Sequence, residues 1–243
     1  MIVSLLGRNG FIGKALLKKL EQEGHMVFNY LRPDVEVVYW FAAPSSQLLF
    51  NYAPQYCMNE TIMGFQNVLS FCIEHKIKLV YPSSATVYNL NNLYAQTKKK
   101  LEVIQNSAEY QNILGLRIFA GYGNEEHKSE YASIVYQFAK DIKGGRQPII
   151  YGNGSQTRDF VYIDDVVDLI IKLTPETGIR DIGTGIDTSF NKVINLINET
   201  LGTDVEPIYT TKPSKYILDT PCNNPIEKPI SIREGIFRIC QTI

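Results

Sequence analysis

The sequence is poor in the residues that build metal centres and disulfide frameworks. Its 243 residues include only 4 cysteines and 3 histidines. They are scattered, with no Cys-x-x-Cys pair and no Cys/His spacing typical of zinc ligands. We therefore expect reduced thiols, no metal centre and no histidine-based catalytic triad. These residues are Cys57, Cys72, Cys222, Cys240, His25, His75 and His127.

A strong charge imbalance and long apolar segments are also missing. Lys and Arg number 24 against 25 Asp and Glu, a formal net charge of −1, so no overall basic field indicates binding to nucleic acid or to a membrane surface. No apolar run reaches the roughly 18 residues of a membrane span. The first predicted strand begins at Ile2, which leaves no space for a signal peptide, so we expect a cytoplasmic protein.

The first half of the chain shows a regular alternation of strand and helix patterns. The stretch "MIVSLLGRNGFIGKALLKKLEQEGHMVFNYLR" predicts a strand, a glycine turn, an amphipathic helix ending at Gly24 and a second strand. The apolar runs "VEVVYWFAAP" and "IKLVYPSS" predict buried strands, each followed by a helical pattern. This alternation to about residue 123 is typical of an α/β fold with a Rossmann-type doubly wound parallel sheet.

The second half has a different texture. We predict a hairpin-like stretch in "QPIIYGNGSQTRDFVY", a short strand at 180–182 between two helices, and an irregular region from Thr203 to a final helix. The predicted dinucleotide-binding domain covers residues 1–123, with about 155–185 returning to it. A small substrate-binding subdomain mainly covers residues 124–243.

The glycine turn after the first strand has the pattern Gly-x-x-Gly-x-x-Gly, with Gly7, Gly10 and Gly13. Glycine permits a tight turn and a close approach of the backbone to a pyrophosphate, and the following helix N-terminus supplies N–H groups and a positive dipole end. The pattern predicts dinucleotide binding. The alternative is a set of turn glycines with no ligand.

The residues after the second strand bear on which dinucleotide binds. An acidic residue about 20 residues beyond the glycines would bind the adenosine ribose, but the sequence has Leu31 and Arg32 there, with Asp34 beyond Pro33. An arginine suits a 2′-phosphate, so the sequence favours NADP(H) over NAD(H). The alternative is that Arg32 is a solvated loop charge.

A Tyr-x-x-x-Lys pattern occurs twice, at Tyr94/Lys98 and at Tyr136/Lys140. Both pairs would lie on one helix face, because residues i and i+4 are neighbours. Only Tyr94 follows a strand ending in "PSSATVY", which places serine hydroxyls beside a candidate proton donor. We interpret Tyr136 as a packing aromatic beside a surface lysine.

Together these motifs resemble the extended short-chain dehydrogenase/reductase family, which comprises nucleotide-sugar epimerases, dehydratases and reductases. The segments "PQYCMNETIMGFQNVL", "GLRIFAGYG", "IIYGNGSQTRDFVYIDDVVDLI" and "RDIGTGIDTSFNKVINLI" are similar to further family motifs, so the resemblance extends to about residue 200.

The resemblance implies a role for each matching residue. Tyr94 would exchange a proton with the sugar, Lys98 would favour the phenolate and hold the nicotinamide ribose, and Ser84 would hydrogen-bond the reacting oxygen. The predicted cofactor-binding residues are Gly7, Gly10, Phe11, Ile12, Gly13, Arg32, Phe41, Ala42, Ala43, Asn59, Ser83, Tyr94 and Lys98. The predicted substrate-binding residues are Ser84, Thr86, Tyr94 and Arg158; the alternative for Arg158 is a salt bridge with Asp159 or Asp164.

Departures from the family pattern limit which of the family's reactions the sequence can support. Ala85 and Thr86 stand where the family's dehydratases carry an Asp-Glu pair, which argues against a 4,6-dehydratase. Ala120 stands where many relatives have a substrate-binding asparagine. The family's usual third strand is missing after Arg32, and only five residues separate Tyr88 from Tyr94, so we expect an open cofactor cleft.

These features lead to three functional hypotheses. The first is NADP(H)-dependent reduction of a 4-keto nucleotide sugar, with Tyr94 giving the proton. The second is a nucleotide-sugar 4-epimerase that keeps NAD bound. The third is a catalytically silent NAD(P)-binding sensor or assembly subunit. The resemblance further implies a homodimer packed through the helices at residues 59–71 and 94–106.

Overall fold

A computed structural model describes residues 1–124, 126, 131–211, 222 and 224–243. These residues form two compact units. The first contains Met1–Ile118 and Val167–Asp181, and the second contains Phe119–Val166 and Ile182–Ile243. The assignment of one domain to the cofactor and the other to the substrate stays a prediction.

In chain order the elements are β1 (Ile2–Leu6), α1 (Phe11–Gln22), β2 (Met26–Phe28), β3 (Val37–Trp40), α2 (Gln47–Tyr52), α3 (Pro54–His75), β4 (Lys78–Ser84), a short 3₁₀ turn (Ala85–Tyr88), α4 (Leu93–Ser107), β5 (Ile113–Ile118), β6 (Ala120–Tyr122), α5 (Ile134–Lys143), β7 (Ile149–Tyr151), β8 (Thr157–Tyr162), α6 (Ile163–Leu173), β9 (Gly178–Ile182), β10 (Asp187–Ser189), α7 (Phe190–Leu201), β11 (Ile208–Thr210) and α8 (Ile232–Thr242).

A six-stranded sheet in the order β2-β1-β3-β4-β5-β9 forms the centre of the first unit. The pairs from β2 through β5 are parallel, which confirms the predicted α/β fold with a parallel sheet. β3 is buried at every position, as expected for a strand covered on both faces. The carboxyl ends of β1, β3, β4 and β5 therefore meet at one edge, where the loops carrying the predicted site begin.

The sheet has a short edge at β2. This strand has three residues, and among the described residues it pairs with β1 alone. The chain then passes to β3 on the other side of β1 without forming a further strand. The direct passage expected from the sequence after Arg32 is thus present in the structure.

The helices of the first unit bury the faces that their apolar residues predict. On α1, Leu16 and Leu20 are fully buried, and Gly24 follows the helix with a positive φ of 77°, which confirms the predicted helix end. On α3, the Phe65 ring packs between Trp40 and Tyr81, at centroid distances of 5.7 and 4.6 Å.

The structure differs from the expectation in three places, all from β5 onward. β7 pairs with β11 in a parallel sheet, whereas β8 pairs with β10 and β6, so the predicted hairpin is wrong. Gly152 and Gly154, both with positive φ, turn the chain between β7 and β8 and lead them into different sheets. The strand expected over "NILGLRIFAGYG" is divided into β5 and β6. β11 lies in the region predicted to be irregular, part of which falls outside the described residues.

Three further observations concern the described residues as a whole. Their helices include none with the length and apolar character of a membrane span. No group of three or more potential metal ligands occurs among them. All four cysteines are buried free thiols.

Candidate active site

The glycine turn is built by close backbone contacts. Gly7 has a φ of 89°, and a Cβ there would lie 2.3 Å from the carbonyl carbon of Phe41. A Cβ on Gly13 would lie 2.1 Å from the carbonyl oxygen of Gly7. Gly7 therefore allows the loop after β1 to touch the loop after β3, and Gly13 allows α1 to start against Gly7.

The N-terminus of α1 has no capping side chain. Gly10 occupies the cap position, no side chain caps the helix, and its first turn contains no acidic residue. The first N–H groups of a helix have no intrahelical partner, so those of Phe11 and Ile12 can bind an anionic group. Phe41 and Ala42 border the same turn, because Phe41 donates its N–H to Leu6 and a Cβ on Gly7 would meet the backbone of both residues. Ala43 follows them in the chain, and its cofactor role stays a prediction.

Arg32 is engaged by a neighbouring carboxylate. Its Nε and Nη2 atoms donate to the two oxygens of Asp34 at 2.8 and 2.5 Å, and its guanidinium lies 4.0 Å from the centroid of the Phe28 ring. The hydrogen bond with Arg32 lowers the pKa of Asp34. A 2′-phosphate would have to replace or share this carboxylate.

The connection from β4 to α4 brings the predicted catalytic residues together. We call residues 83–92 the β4–α4 segment. Ser84 ends β4, and its Oγ accepts from the N–H and the hydroxyl of Thr86 at 3.2 and 3.0 Å. Asn92 caps α4 by accepting from the N–H of Ala95 at 2.8 Å, so the helix begins at Leu93. A buried Asn92 Nδ2 has no partner in the structure.

Tyr94 lies in the first turn of α4, with its ring 5.4 Å from that of Phe50 in an edge-to-face arrangement. Burial of the hydroxyl raises the pKa of Tyr94, and a hydrogen bond with Ser84 acts in the opposite direction. The structure therefore brings Ser84 and Tyr94 together, as predicted. The protein alone favours the neutral phenol.

Lys98 lies one helical turn beyond Tyr94 and is 2% exposed. Its Nζ donates to the carbonyl oxygen of Pro82 at 2.9 Å and lies 5.8 Å from the centroid of the Tyr94 ring. Burial lowers the pKa of Lys98 to about 8. At neutral pH this lysine carries a proton that it can lose at modest cost.

A fully buried carboxylate, Glu102, was missed by the sequence reasoning. It lies on the same face of α4 as Tyr94 and Lys98, and its Oε1 accepts from Ser83 at 2.7 Å and from Arg117 at 2.8 Å. Burial by itself raises the pKa of Glu102, but hydrogen bonds from Arg117, Ser83 and Lys99 outweigh it and lower the pKa. The sequence signal was the spacing, because Glu102 follows Lys98 by four residues, as Lys98 follows Tyr94.

Two predicted binding residues make contacts of their own. Asn59 is on the exposed face of α3, where its Oδ1 accepts from Gln55 at 2.9 Å. Arg158 belongs to the second unit, where its guanidinium lies 5.5 Å from the centroid of the Phe190 ring and Nη1 donates to the carbonyl of Thr157. Both roles stay predictions.

The carboxylates considered as partners for Arg158 have other contacts. Asp159 is fully buried and accepts from the N–H groups of Thr184 and Gly185, both at 2.8 Å. Asp164 forms an ion pair with Arg238 at 3.2 Å.

Comparison with known proteins begins with a family model. The model for the NAD dependent epimerase/dehydratase family matches residues 28–180. The chain belongs to this family. This confirms the resemblance inferred from the glycine turn, the Tyr94 motif and the later segments.

Three relatives illustrate the similarity. An ADP-L-glycero-D-manno-heptose-6-epimerase of Brachyspira hyodysenteriae is 31% identical over 169 residues, 60% of this chain and 53% of that protein. The chain thus matches about half the length of this curated relative. A UDP-glucose 4-epimerase of Thermotoga maritima, solved with UDP-glucose, has a TM-score of 0.89 at 21% identity, covering 100% and 98% of the two chains. A Thermus thermophilus UDP-glucose 4-epimerase in complex with NAD has a TM-score of 0.87 at 19% identity, covering 100% and 98%. The two structures show the shared fold.

Proposed function

We propose that this family member is a nicotinamide-dependent enzyme that transfers hydride at a hydroxyl-bearing carbon of a nucleotide sugar, and that it works as an epimerase. One observation carries the proposal. Ser84, Tyr94 and Lys98 lie together where β4 passes into α4, at the sheet edge that also carries the glycine turn. This edge is where open α/β sheets bind their ligands.

The residues present fit a nicotinamide dinucleotide. Gly7 and Gly13 keep the turn free of side chains, and the uncapped start of α1 offers N–H groups for the pyrophosphate. The residues that would hold the cofactor are Gly7, Gly10, Phe11, Ile12, Gly13, Phe41, Ala42, Ala43, Ser83 and Lys98. These residues would hold a cofactor whose nicotinamide ring would supply the hydride-transfer chemistry at the sugar carbon.

The side chains of Tyr94, Ser84 and Lys98 would handle the proton that the sugar oxygen loses and regains. The Tyr94 hydroxyl would exchange a proton with the sugar oxygen, and Ser84 would hydrogen-bond the same oxygen. The phenolate form of Tyr94 is penalised by burial, as is the charged form of Lys98. Each charge stabilises the other, so the protonated Lys98 would favour loss of the Tyr94 proton during the reaction.

The Arg32–Asp34 pair supports NAD over NADP. A free Arg32 was the reason to favour a 2′-phosphate, but in this structure the arginine is already neutralised by Asp34. The relatives named above are epimerases. The NAD-dependent epimerase is therefore the leading proposal.

An NADPH-dependent 4-keto reductase remains the second candidate. It is favoured by the position of Arg32, which lies just beyond the end of β2, the edge strand of the sheet that the described residues form. In such an enzyme Arg32 would exchange Asp34 for the 2′-phosphate, and the cofactor would leave after each turnover.

The first test is to denature the purified protein and to assay the supernatant for nicotinamide dinucleotide. A second, native sample is then incubated with NAD and with one nucleotide sugar at a time: UDP-glucose, UDP-N-acetylglucosamine or ADP-L-glycero-D-manno-heptose. The products are resolved by chromatography. We expect near-stoichiometric NAD and interconversion of one sugar with its epimer. An empty protein that oxidises NADPH with a 4-keto nucleotide sugar would replace the epimerase by the reductase. Absence of turnover with every sugar would favour the cofactor-binding sensor.

We also propose that a second copy of the chain covers the outer faces of α3 and α4. Tyr56 and Met63, one heptad apart on α3, and Val103 on α4 are large apolar side chains left exposed, and such patches mark interaction surfaces. Sedimentation velocity should show a homodimer that Met63→Glu weakens. A monomer at micromolar concentration would contradict this assembly.

A further inference from the structure

Arg117 connects the two ends of the turn that follows β4. It lies on β5, where the sheet register pairs it with Ser83 on β4. On one side, its Nε and Nη2 donate to the two oxygens of Glu102 at 2.8 and 2.9 Å. On the other side, its Nη1 donates to the Tyr88 hydroxyl at 2.8 Å.

The inner contact fixes the end of β4. Both oxygens of Glu102 are occupied, since Oε1 also accepts from Ser83 and Oε2 also accepts from Lys99 at 3.0 Å. Ser83 lies between Pro82, whose carbonyl accepts from Lys98, and Ser84, whose hydroxyl lies near that of Tyr94. The buried Glu102 carboxylate, by holding Ser83, thereby holds the Pro82 carbonyl and the Ser84 hydroxyl in place.

The outer contact fixes the last residue of the 3₁₀ turn. The Tyr88 hydroxyl donates to the Asp181 carboxylate at 2.8 and 2.9 Å. The Arg117 guanidinium also stacks on the Tyr88 ring, 4.7 Å from its centroid. Tyr88 is 54% exposed, so its position depends on the contacts with Arg117 and Asp181 more than on packing.

We propose that Arg117, with Glu102 on one side and Tyr88 and Asp181 on the other, positions the β4–α4 segment for catalysis. A buried ion pair is a weak source of stability, because desolvation offsets the attraction between its charges. We assign the pair a positioning role instead. Residues 85–87 connect Tyr88 to Ser84 and residues 89–93 connect it to Tyr94, so a movement of the turn would reach both. This inference rests on the proposed function.

The test uses Tyr88→Phe, which keeps the stacked ring and removes only the hydroxyl bonds. Steady-state kinetics are measured with NAD and the sugar that the wild type turns over. We expect kcat to fall by about 10- to 100-fold, since small misplacements of reacting groups have effects of this size, with KM changed by less than about threefold because ground-state binding groups are untouched. Asp181→Asn should behave similarly, and the double variant should lose little more, because the two side chains act as one unit.

Hydrogen exchange on the cofactor-free protein gives a readout independent of turnover. Amides of the β4–α4 segment should exchange about tenfold faster in Tyr88→Phe, while amides of α1 stay unchanged. The matched control is Tyr110→Phe, which removes a hydroxyl bond of 2.7 Å to the Ile77 carbonyl at the opposite end of β4. It should alter neither kcat nor exchange in the segment.

The outcomes separate the two claims. A wild type that turns over no sugar defeats the proposed function, and exchange then decides alone whether Tyr88 and Arg117 hold the segment. Faster exchange with an unchanged kcat overturns the positioning role, and so does a lower kcat with unchanged exchange. Arg117→Lys, which cannot bridge Glu102 and Tyr88 and also loses the paired bonds to Glu102, should lower kcat and speed exchange at least as much as Tyr88→Phe.

Discussion

The glycine turn and the β4–α4 segment lie at the same sheet edge but are specified in opposite ways. The turn depends on missing side chains, because Gly7 and Gly13 each occupy a space in which a Cβ would collide with backbone. The segment depends on side chains from β4, α4, β5 and β9 that converge on Arg117. The glycine turn is specified locally, so a side chain added at Gly7 or Gly13 should disrupt it at once. The β4–α4 segment is held by several side chains, so removing them one at a time should weaken it in steps.

Replacement of the proton-exchanging group should have the largest effect. Tyr94→Phe removes the hydroxyl but retains the ring that packs on Phe50, so kcat should fall by roughly 10²- to 10⁴-fold. Tyr136→Phe, in the other Tyr-x-x-x-Lys pattern, is the matched control and should retain full activity. A Tyr94→Phe enzyme that works at the wild-type rate would remove Tyr94 from the mechanism.

The glycine turn should respond to a single methyl group. Gly7→Ala adds a Cβ 2.3 Å from Phe41 at a positive φ, so we expect a loss of about 3 kcal/mol in the free energy of unfolding and at least 100-fold weaker NAD binding. Gly24→Ala has a similar φ of 77° but no atom within 4 Å. This control should lose only about 1 kcal/mol and bind NAD normally. Calorimetry and urea titration measure both quantities, and equal losses in the two variants would contradict the close contact.

The charge on buried Lys98 should make stability depend on pH. Its folded pKa of about 8 lies below the ordinary 10.5, so folding penalises the protonated form. The penalty is complete below pH 8 and disappears as the pH rises towards 10.5. Relative to Lys98→Met, the cofactor-free wild type should therefore gain about 1 kcal/mol between pH 7 and pH 9. Urea unfolding at the two pH values measures this gain, and a difference that falls with pH would show that another group dominates.

The smallest effect concerns the choice of cofactor. Asp34→Asn frees Arg32 from its ion pair, so NADPH affinity should rise roughly threefold relative to NADH, the scale of an exposed ion pair. Arg32→Gln should reverse the change. Fluorescence titration with both cofactors measures the ratio, and an unchanged ratio in both variants would exclude Arg32 from the adenosine site.

The same contrast explains what the sequence could predict. Gly7, Gly10 and Gly13 show a local pattern, and Tyr94 and Lys98 fall on one helix face, so the parallel fold and the Ser84–Tyr94 contact could be inferred. Arg117 and Asp181 could not be linked to Tyr88, because strand register brings together residues far apart in the chain. The wrong hairpin between β7 and β8 has the same cause. Turn residues show that the chain bends but do not select the strand that becomes the partner.

The short strand β2 has a consequence for engineering of the chain. A three-residue edge exposes few unpaired backbone groups, which protects the sheet from edge-to-edge aggregation. The same brevity makes this edge a permissive place for insertion, because the pairing of β1 with β3 lies on the other side of β1 and would be undisturbed. An added strand that pairs with the outer side of β2 would widen the sheet, provided that Val35, which is part of the core, keeps its place.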